Sequence, residues 1–414
     1  MTTTNGIAIT VTAHRNHRQL RVRERGVCYK PPRRGLLGTR GGRGKVHVAK
    51  RTLAVMTGGG DAPGLNAVIR AVVKRGVTVN GWRILGIRHS FDGLYEGPEG
   101  VIDLNRDHVR GILRLGGTIL GTTNSGDPFN YTLPDGARGD LAAETVKRLK
   151  ELGVEGLIAI GGDGTHDICA RLARDYGLKV IGVPKTIDND ILATDMTFGF
   201  DTAVAYATDA VDRLHTTAES HDRVMVVEVM GRNAGWIALA SGVAGGADVV
   251  LIPEIPFSMD AVIAKVLRRR KARRGFSIIV VAEGAKEAGG GLHTQIMKAS
   301  GAVKLGGIGR HVAEAVAERT GIETRFTVLG HLLRGGTPTA FDRLLATRFG
   351  NAAVELAERD AWNRMVAMKD GRITSVPLES VAGGTRSVDP GCDLVAAARG
   401  MGIAFGDEAS APTE

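Results

Sequence analysis

The sequence has few cysteines and no long apolar run. Its 414 residues include three cysteines, Cys28, Cys169 and Cys392, which lie far apart. They lack the close spacing of a metal site and are too few for a disulfide framework, so we expect a reducing cytoplasm as the location. No uninterrupted apolar run approaches the roughly 20 residues that a membrane-spanning helix needs. These absences predict a cytoplasmic globular protein without a membrane partner.

Acidic residues are almost absent from the first 50 residues. This leader has twelve Lys or Arg and the single acid Glu24, whereas the other 364 residues have a net charge of about −1. The near-neutral body gives no support to a specific nucleic-acid partner, although the leader could attract polyanions. Its stretch 31–44 is rich in Arg, Gly and Pro, which indicates disorder or a translation start near 46–55. A transit peptide stays open as an alternative.

Short apolar runs alternate with helical patterns through the rest of the chain. The runs occupy residues 52–56, 156–160, 179–183, 224–229, 249–252 and 277–282. Strands that alternate with helices predict an α/β fold with mostly parallel sheets. Polar turns follow these runs, and ligands of parallel sheets bind at the carboxyl ends of the strands. The pattern therefore predicts a phosphate-rich cleft at these turns.

The turn after the first run is rich in glycine. Residues 57–66 read Thr-Gly-Gly-Gly-Asp-Ala-Pro-Gly-Leu-Asn, and a helical pattern follows at 67–74. The turn lacks the Gly-Lys-Ser/Thr of a Walker loop and does not match the dinucleotide-binding fingerprint. Glycines nevertheless let backbone amides approach a phosphate, and the next helix offers its positive N-terminal end. A phosphate site is favoured, with a purely structural turn as the alternative.

Two later turns combine glycine with carboxylates. Residues 161–165 read Gly-Gly-Asp-Gly-Thr, and Asp163 there can hold magnesium while the backbone faces phosphates. Residues 184–190 read Pro-Lys-Thr-Ile-Asp-Asn-Asp, and the alternation of Asp188 and Asp190 places them on one face of an extended strand end. Phosphoryl transfer to a hydroxyl needs a carboxylate that accepts the proton. NAD kinases and lipid kinases have a string similar to the first, so the acceptor stays open at this point.

Five segments, taken in order, resemble the 6-phosphofructokinase family. They are residues 59–66, 161–165, 184–190, Glu-Val-Met-Gly-Arg at 228–232 and Gly-His-Leu-Leu-Arg-Gly-Gly at 330–336. The resemblance is to the ATP-dependent type within a mixed-substrate branch, and the leader has no counterpart in it. It implies transfer of a phosphoryl group from ATP to the 1-hydroxyl of fructose 6-phosphate, with Mg²⁺ as cofactor. NAD kinases match the second segment alone.

The resemblance also implies how the chain is organised. We expect two Rossmann-like domains that face each other across the active-site cleft. The phosphate-donor domain would comprise residues 51–199 and 333–383. The fructose 6-phosphate domain would comprise residues 200–332 and 384–414. The basic leader, residues 1–50, would belong to neither.

The family's functional residues transfer to matching positions of this sequence. Asp188 would be the general base, with Thr186 beside the reaction centre and Arg232 stabilising the transferring charge. The residues implied to bind ATP are Gly60, Gly162, Asp163, Gly164 and Thr165, and Asp163 is also the implied metal ligand. The residues implied to bind the sugar phosphate are Thr186, Asp188, Arg223, Met230, Gly231, Arg232, Glu283, Arg325, His331 and Arg334. Arginine and histidine suit a doubly charged 6-phosphate, because they donate charge-assisted hydrogen bonds.

Arg223 and Arg325 have counterparts that reach across from a neighbouring subunit in bacterial relatives. The resemblance therefore implies a homo-oligomer, either a dimer or a tetramer. Asn124 stands in a segment where many relatives have an arginine that bridges the two substrates. What replaces that arginine is left open, with Lys185 as one possibility.

The nature of the phosphoryl donor depends on Gly164 and Lys185. Pyrophosphate-dependent relatives usually have Asp at the first position, where its carboxylate occupies the space of a nucleotide α-phosphate and repels it. They also have Lys at the second. Gly164 favours ATP, whereas Lys185 keeps pyrophosphate open as an alternative. A non-catalytic sugar-phosphate-binding paralogue is disfavoured, because the acids that such proteins lose are present.

Overall fold

A computed structural model describes residues 51–133, 135–272, 275–291, 294–296 and 303–408. The leader predicted at 1–50 lies outside these residues. Strands and helices are numbered along the chain. Among the described residues, no helix is long and apolar enough to cross a membrane.

The larger of two main sheets has eight strands, mostly parallel. Across the sheet they are β16 (Arg372–Pro377), β15 (Arg364–Lys369), β7 (Val180–Thr186), β6 (Gly156–Gly161), β1 (Thr52–Thr57), β2 (Arg83–Ile87) and β3 (Val101–Leu104), with β8 (Phe198–Gly199) beside β7. The outermost strands β16 and β3 are antiparallel to their neighbours. The central strands are parallel, as the sequence predicts.

The smaller sheet has four parallel strands. Across the sheet they are β10 (Val249–Leu251), β11 (Ser277–Ala282), β9 (Val224–Val229) and β14 (Thr324–Val328). Two short antiparallel pairs lie outside the main sheets: β4 (Tyr131–Thr132) with β5 (Arg138–Gly139), and β12 (Thr294–Ile296) with β13 (Val303–Leu305).

Helices cover both faces of the two main sheets. They are α1 (Leu65–Val73), α2 (Ala142–Glu151), α3 (Asp163–Tyr176), α4 (Phe200–His221), α5 (Trp236–Ala244), α6 (Met259–Lys271), α7 (Ile308–Thr320), α8 (Ala340–Glu358) and α9 (Asp393–Gly400). A π-helical segment, Lys74–Val79, continues α1, and short 3₁₀ helices include Ser90–Leu94 and Gly330–Arg334.

Strand β1 shows why the apolar runs form buried strands. Leu53 and Val55 belong to the core on one face of the large sheet, whereas Ala54 and Met56 belong to the core on the other. A strand buried on both faces needs a continuous apolar run, because successive side chains point in opposite directions. Each large side chain that is fully buried stabilises the fold by about 1.5–3 kcal/mol.

The predicted element boundaries are close to those of the structure. The runs at 224–229 and 277–282 coincide with β9 and β11. The strand predicted at 179–183 continues to Thr186, and α3 begins at Asp163, inside the segment 161–165 that the sequence analysis describes as a turn. Gly162 ends the turn and accepts the first helical hydrogen bond from His166 N. Asp163 therefore lies in the first turn of α3 and not in a loop.

Helices α4 and α8 meet near their amino ends, where a buried acid joins them. Asp342 in α8 is fully buried, and its Oδ2 accepts hydrogen bonds from the backbone N and the Oγ1 of Thr202 in α4. Burial is the main cause that raises the pKa of Asp342, to about 6. The two sheets draw their strands from residues 52–199 with 364–377 and from residues 224–328. The two-domain boundaries themselves stay a prediction.

Candidate active site

Two adjoining cavities lie at the carboxyl ends of the central strands. The first, of about 420 Å³, is bordered by the turns that follow β1, β6 and β7. The second, of about 580 Å³, is bordered by the turns that follow β9, β11 and β14. The residues that line both cavities are Gly60, Thr123, Asn124, Arg232 and Arg334. The two cavities therefore share one wall.

The glycine turn after β1 is held by backbone hydrogen bonds. The amide of Gly58 donates to Ile160 O at 2.9 Å, and the amide of Gly59 donates to Thr123 O at 3.0 Å. Thr122 Oγ1 donates to Gly59 O at 2.6 Å. Gly59 has a φ of 74°, a conformation that favours glycine. These bonds place the turn and Gly60 on the wall that the two cavities share.

The glycine turn after β6 leads directly into α3. A Cβ on Gly161 would overlap the side chain of Thr165, and one on Gly58 would lie 2.7 Å from Thr165 Oγ1. The buried Thr165 thus fits because both turns are glycine. Asp163 and Gly164 occupy the first turn of α3, where free amides and the helix dipole favour a bound phosphate.

Gly164 has open space beside it. Apart from its chain neighbours and helix backbone, no heavy atom of the described residues lies within 4 Å of the position that a Cβ would take. Gly164 lines the first cavity. A Cβ at residue 164 would therefore meet none of these residues and would lie beside the first cavity.

The loop after β7 presents two buried carboxylates to the first cavity. Asp188 and Asp190 are 4% and 6% exposed. The amide of Asp188 donates to Thr186 Oγ1 at 3.0 Å, which fixes Thr186 beside it. Asn189 adopts a φ of 52°, and its Oδ1 accepts from Thr197 N at 2.9 Å. The loop is therefore rigidly held while both acids face the cavity.

A residue far along the chain also fixes this loop. The backbone N of Arg386 donates to Asp190 O at 2.7 Å, and its Nη1 donates to Asn189 O at 3.0 Å. Trp236 Nε1 donates to Arg386 O at 2.9 Å, and the guanidinium lies 4.2 Å from the Trp236 ring centre. Arg386 thus connects the loop of the large sheet to α5. The sequence analysis did not identify it.

Burial changes the acidity of both carboxyl groups. Among the described residues, no hydrogen-bond partner reaches Asp188 Oδ1. Burial raises the pKa of Asp188, and the positive charge of Arg334 is the largest influence that opposes this. Burial, followed by repulsion from Asp188 and Asp163, raises the pKa of Asp190 to about 6. A carboxylate with an unused oxygen and reduced acidity is suited to accept a proton.

Lys185 lies beneath the glycine turn. Its side chain is almost completely buried, and Nζ donates to Gly60 O. Burial, followed by repulsion from Arg334, lowers the pKa of Lys185 to about 8. The ammonium group lines the first cavity. The negative charge of a phosphate bound there would stabilise the protonated form of Lys185.

The turn after β9 brings Arg232 to the shared wall. Its backbone N donates to Glu283 Oε1 at 3.0 Å, and its Nη1 lies 3.5 Å from Asp163 Oδ2. Burial raises the pKa of Glu283. Met230 lines the second cavity, whereas Gly231 lines neither and serves the turn through a φ of 153°. Arg232 therefore extends from the small sheet towards the first turn of α3.

His331 and Arg334 lie in the 3₁₀ helix after β14. Residues three apart in such a helix point the same way, and both side chains line the second cavity. Arg223 and Arg325 lie elsewhere, at the amino ends of β9 and β14. They form ion pairs of 2.9 and 2.6 Å with Glu323, and neither lines either cavity.

Glu228 is a buried acid of the second cavity that the sequence analysis did not assign. Its Oε2 accepts from the backbone N of Gly307 at 3.1 Å and of Gly309 at 2.8 Å. It thereby binds the amino end of α7 beside the cavity. A single acid inside the apolar run at 224–229 is the signal that could have identified it.

The carboxylates of the first cavity fit a metal that is shared with a ligand. The described residues contain no group of three or more His, Cys, Asp or Glu placed to hold a metal ion. Asp163, Asp188 and Asp190 nevertheless border one cavity, and Asp188 has an oxygen without a partner. Magnesium usually binds one or two carboxylates and takes its other ligands from phosphates and water.

Comparison with known proteins gives consistent results. The sequence model of the family described as Phosphofructokinase matches residues 52–357. The chain is 52% identical over 359 residues to "ATP-dependent 6-phosphofructokinase" of Chloroflexus aurantiacus, covering 87% of this chain and 99% of that protein. It is 50% identical over 340 residues to "Pyrophosphate--fructose 6-phosphate 1-phosphotransferase" of Streptomyces coelicolor, covering 82% and 96%.

A solved structure is also similar. The phosphofructokinase structure from Saccharomyces cerevisiae superposes with a TM-score of 0.68 at 32% identity. The match covers 80% of this chain and 45% of that one, so this chain spans less than half the length of the yeast chain.

Proposed function

The chain belongs to the phosphofructokinase family, and we propose that it transfers the terminal phosphoryl group of ATP to the 1-hydroxyl of fructose 6-phosphate. The products are ADP and fructose 1,6-bisphosphate. The observation that supports this most strongly is the wall shared by the two cavities. Phosphate-binding turns and acids line one side of it, and Met230, Glu283 and His331 line the other.

Asp188 is the proposed general base. It accepts the proton of the sugar 1-hydroxyl as that oxygen attacks the terminal phosphorus of ATP, and the bond from this phosphorus to the bridging oxygen of ADP breaks. Its Oδ1 is free of protein partners among the described residues and can receive that hydrogen bond. Such a proton transfer contributes roughly 10²–10⁴-fold to a rate. Thr186 is held beside the base, and Arg232 stabilises the transferring charge.

Magnesium is the proposed cofactor, and Asp163 would hold it directly or through water, with Asp190 in support. The ion would neutralise donor phosphate charge when it is bound. Gly60, Gly162, Gly164 and Thr165 would form the donor phosphate site.

The open space at Gly164 supports ATP as donor, because a nucleotide α-phosphate can be accommodated there. Pyrophosphate is the alternative. Lys185 leaves it open, since a buried ammonium group can bind either donor. The name of the relative from Streptomyces coelicolor states pyrophosphate, which also leaves this alternative open.

We further propose a cytoplasmic homo-oligomer, either a dimer or a tetramer. Arg223 and Arg325 lie at the amino ends of the neighbouring strands β9 and β14, where they would bind the sugar 6-phosphate of a neighbouring subunit. Phe326 and Val328 are 43% and 48% exposed on β14, an outer strand of the small sheet, which suits contact with a second copy.

An assay of the purified chain tests the reaction and its donor. Fructose 6-phosphate and Mg²⁺ are supplied with either ATP or pyrophosphate, and fructose 1,6-bisphosphate is measured. We expect turnover with ATP. Turnover with pyrophosphate alone would replace the proposed donor, and no turnover with either would favour a sugar-phosphate-binding protein without activity.

A further inference from the structure

The loop with Asp188 and Asp190 has an uncommon backbone conformation at its centre. Asn189 lies between the two acids and has a φ of 52°, in the left-handed region that residues other than glycine rarely adopt. Such a conformation persists where the surrounding contacts enforce it. One contact is made by Asn189 Oδ1, which accepts a hydrogen bond from Thr197 N at 2.9 Å. Another is made by Asn189 O, which accepts from Arg386 Nη1 at 3.0 Å. Arg386 therefore helps to hold a conformation that directs both neighbouring acids.

Arg386 binds this loop through its backbone as well as its side chain. Its backbone N donates to Asp190 O at 2.7 Å. A substitution by any residue except proline removes the guanidinium bond to Asn189 O and leaves this backbone bond in place. The contribution of the guanidinium group to the position of the loop can therefore be measured separately.

The segment 386–388 is anchored on the side of the small sheet. Trp236 Nε1 donates to the backbone O of residue 386 at 2.9 Å, and the guanidinium lies 4.2 Å from the ring centre of Trp236. Two residues further on, Val388 is buried and its backbone N donates to Glu254 Oε1 at 2.8 Å. The same oxygen accepts from Gly235 N at 2.9 Å, at the end of the turn after β9. These contacts give Arg386 a fixed position relative to both main sheets.

Arg386 lines neither cavity, and its guanidinium bonds to a loop carbonyl. We propose that Arg386 is a positioning residue, which holds the loop so that Asp188 can accept the proton of the sugar 1-hydroxyl. This proposal rests on the proposed function. A hydrogen bond from a charged donor is stronger than one between neutral groups. Displacement of a catalytic group by about 1 Å can lower a rate by roughly 10²-fold.

The test compares Arg386→Met with the unaltered enzyme and with Arg51→Met. Arg51 is a matched control, because its Nη1 donates to Ala357 O at 2.7 Å and its guanidinium lies 5.6 Å from the ring centre of Trp82. It lines neither cavity. Each variant keeps an apolar side chain beside a tryptophan and loses a bond to a backbone carbonyl. We measure kcat and KM with the donor that the unaltered enzyme uses, and circular dichroism with thermal unfolding monitors folding.

For Arg386→Met we expect kcat with both substrates saturating to fall roughly 10–10²-fold while the KM values change little. Arg386→Lys should lose less, because its ammonium group can still donate to Asn189 O. Arg51→Met should retain its kcat. The Arg386→Met substitution is also made together with Asp188→Ser. It should lower kcat little further there, because a residue that acts through the base has no effect once the base is removed.

A near-normal kcat of Arg386→Met, or the same fall in Arg51→Met, would overturn the proposal. An equal fall in the presence and absence of Asp188 would also overturn it, because Arg386 would then have a general structural role. If Arg386→Met does not fold, Arg386→Gln takes its place in the same comparisons. If the unaltered enzyme makes no fructose 1,6-bisphosphate with ATP or pyrophosphate, the proposed function fails instead, and the two failures are thereby distinguished.

Discussion

Replacing Gly164 by Asp should change the preferred phosphoryl donor. Gly164 is the second residue of α3 and has a φ that other residues adopt, and its Cβ position is open. The substitution therefore needs no rearrangement of the fold. An acid in the first turn of a helix is itself favourable, because it complements the helix dipole. The new carboxylate would lie beside the phosphates of a donor bound at the same helix end.

The cost to ATP follows from Coulomb's law. Two unit charges about 4 Å apart repel by about 1 kcal/mol in water and by about 4 kcal/mol at an effective dielectric constant near 20. Gly164 is exposed at the cavity mouth, so the value lies between these limits. Since about 1.4 kcal/mol is a factor of ten, kcat/KM with ATP should fall between about fivefold and 10³-fold. Pyrophosphate has no nucleoside attached to its second phosphate and should be affected less.

The assay measures kcat/KM for ATP and for pyrophosphate with fructose 6-phosphate saturating. Gly164→Ala is the matched control, because it adds a methyl group without charge and should retain most of the activity. If Gly164→Asp uses ATP as well as Gly164→Ala does, repulsion at this position does not select the donor. A uniform loss with both donors would equally refute the reasoning.

Three further substitutions test the acids and the buried lysine. Asp188→Ser should lower kcat by roughly two orders of magnitude or more with little loss of sugar affinity, and a near-normal rate would remove its role as base. In the unaltered enzyme kcat/KM for ATP should fall above about pH 8, because Lys185 loses its proton there. Lys185→Met should not show this fall at alkaline pH. If the variant shows the same fall, another group is responsible for it. Asp342 keeps its proton up to about pH 6 when folded but releases it near pH 4 when unfolded, so raising the pH across this interval should lower the free energy of unfolding. Urea titrations should show that, across this pH interval, the free energy of unfolding of Asp342→Asn changes by roughly 2–3 kcal/mol less than that of the unaltered protein. The same pH dependence in both proteins would contradict this.

The sequence predicted six strands of the two main sheets, β1, β6, β7, β9, β10 and β11, because a continuous apolar run is a local property, whereas the other six strands of these sheets were not predicted. β9 and β11 are continuous apolar runs, and such runs are typical of parallel strands covered on both faces. The start of α3 was misplaced, since Asp163 and Gly164 in isolation are typical of a turn. In the structure Gly162 O accepts the first helical hydrogen bond, from His166 N, so the helix already includes Asp163 and Gly164.

The sequence analysis identified the candidate site residues that stand within a short motif. It missed residues that only long-range contacts bring to the site. Asp188 and Asp190 stand within one short segment, and their residue types indicate proton transfer. Arg386 reaches the same loop from 197 residues further along the chain, and no local pattern marks it. The placement of Arg334 against the glycine turn likewise depends on how two sheets are arranged, which a residue spacing does not contain.

The hydrogen bonds from Arg386 to the loop at Asn189 and Asp190 determine how late in protein synthesis this loop can reach its final structure. The ribosome adds about 5–20 residues per second, so the 197 residues that separate Arg386 from Asn189 take about 10–40 s to make. Until then the two loop carbonyls lack their guanidinium and amide donors, although the large-sheet strands before them have been synthesised. A nascent chain would thus lack these contacts to the loop of its proposed base until late in translation.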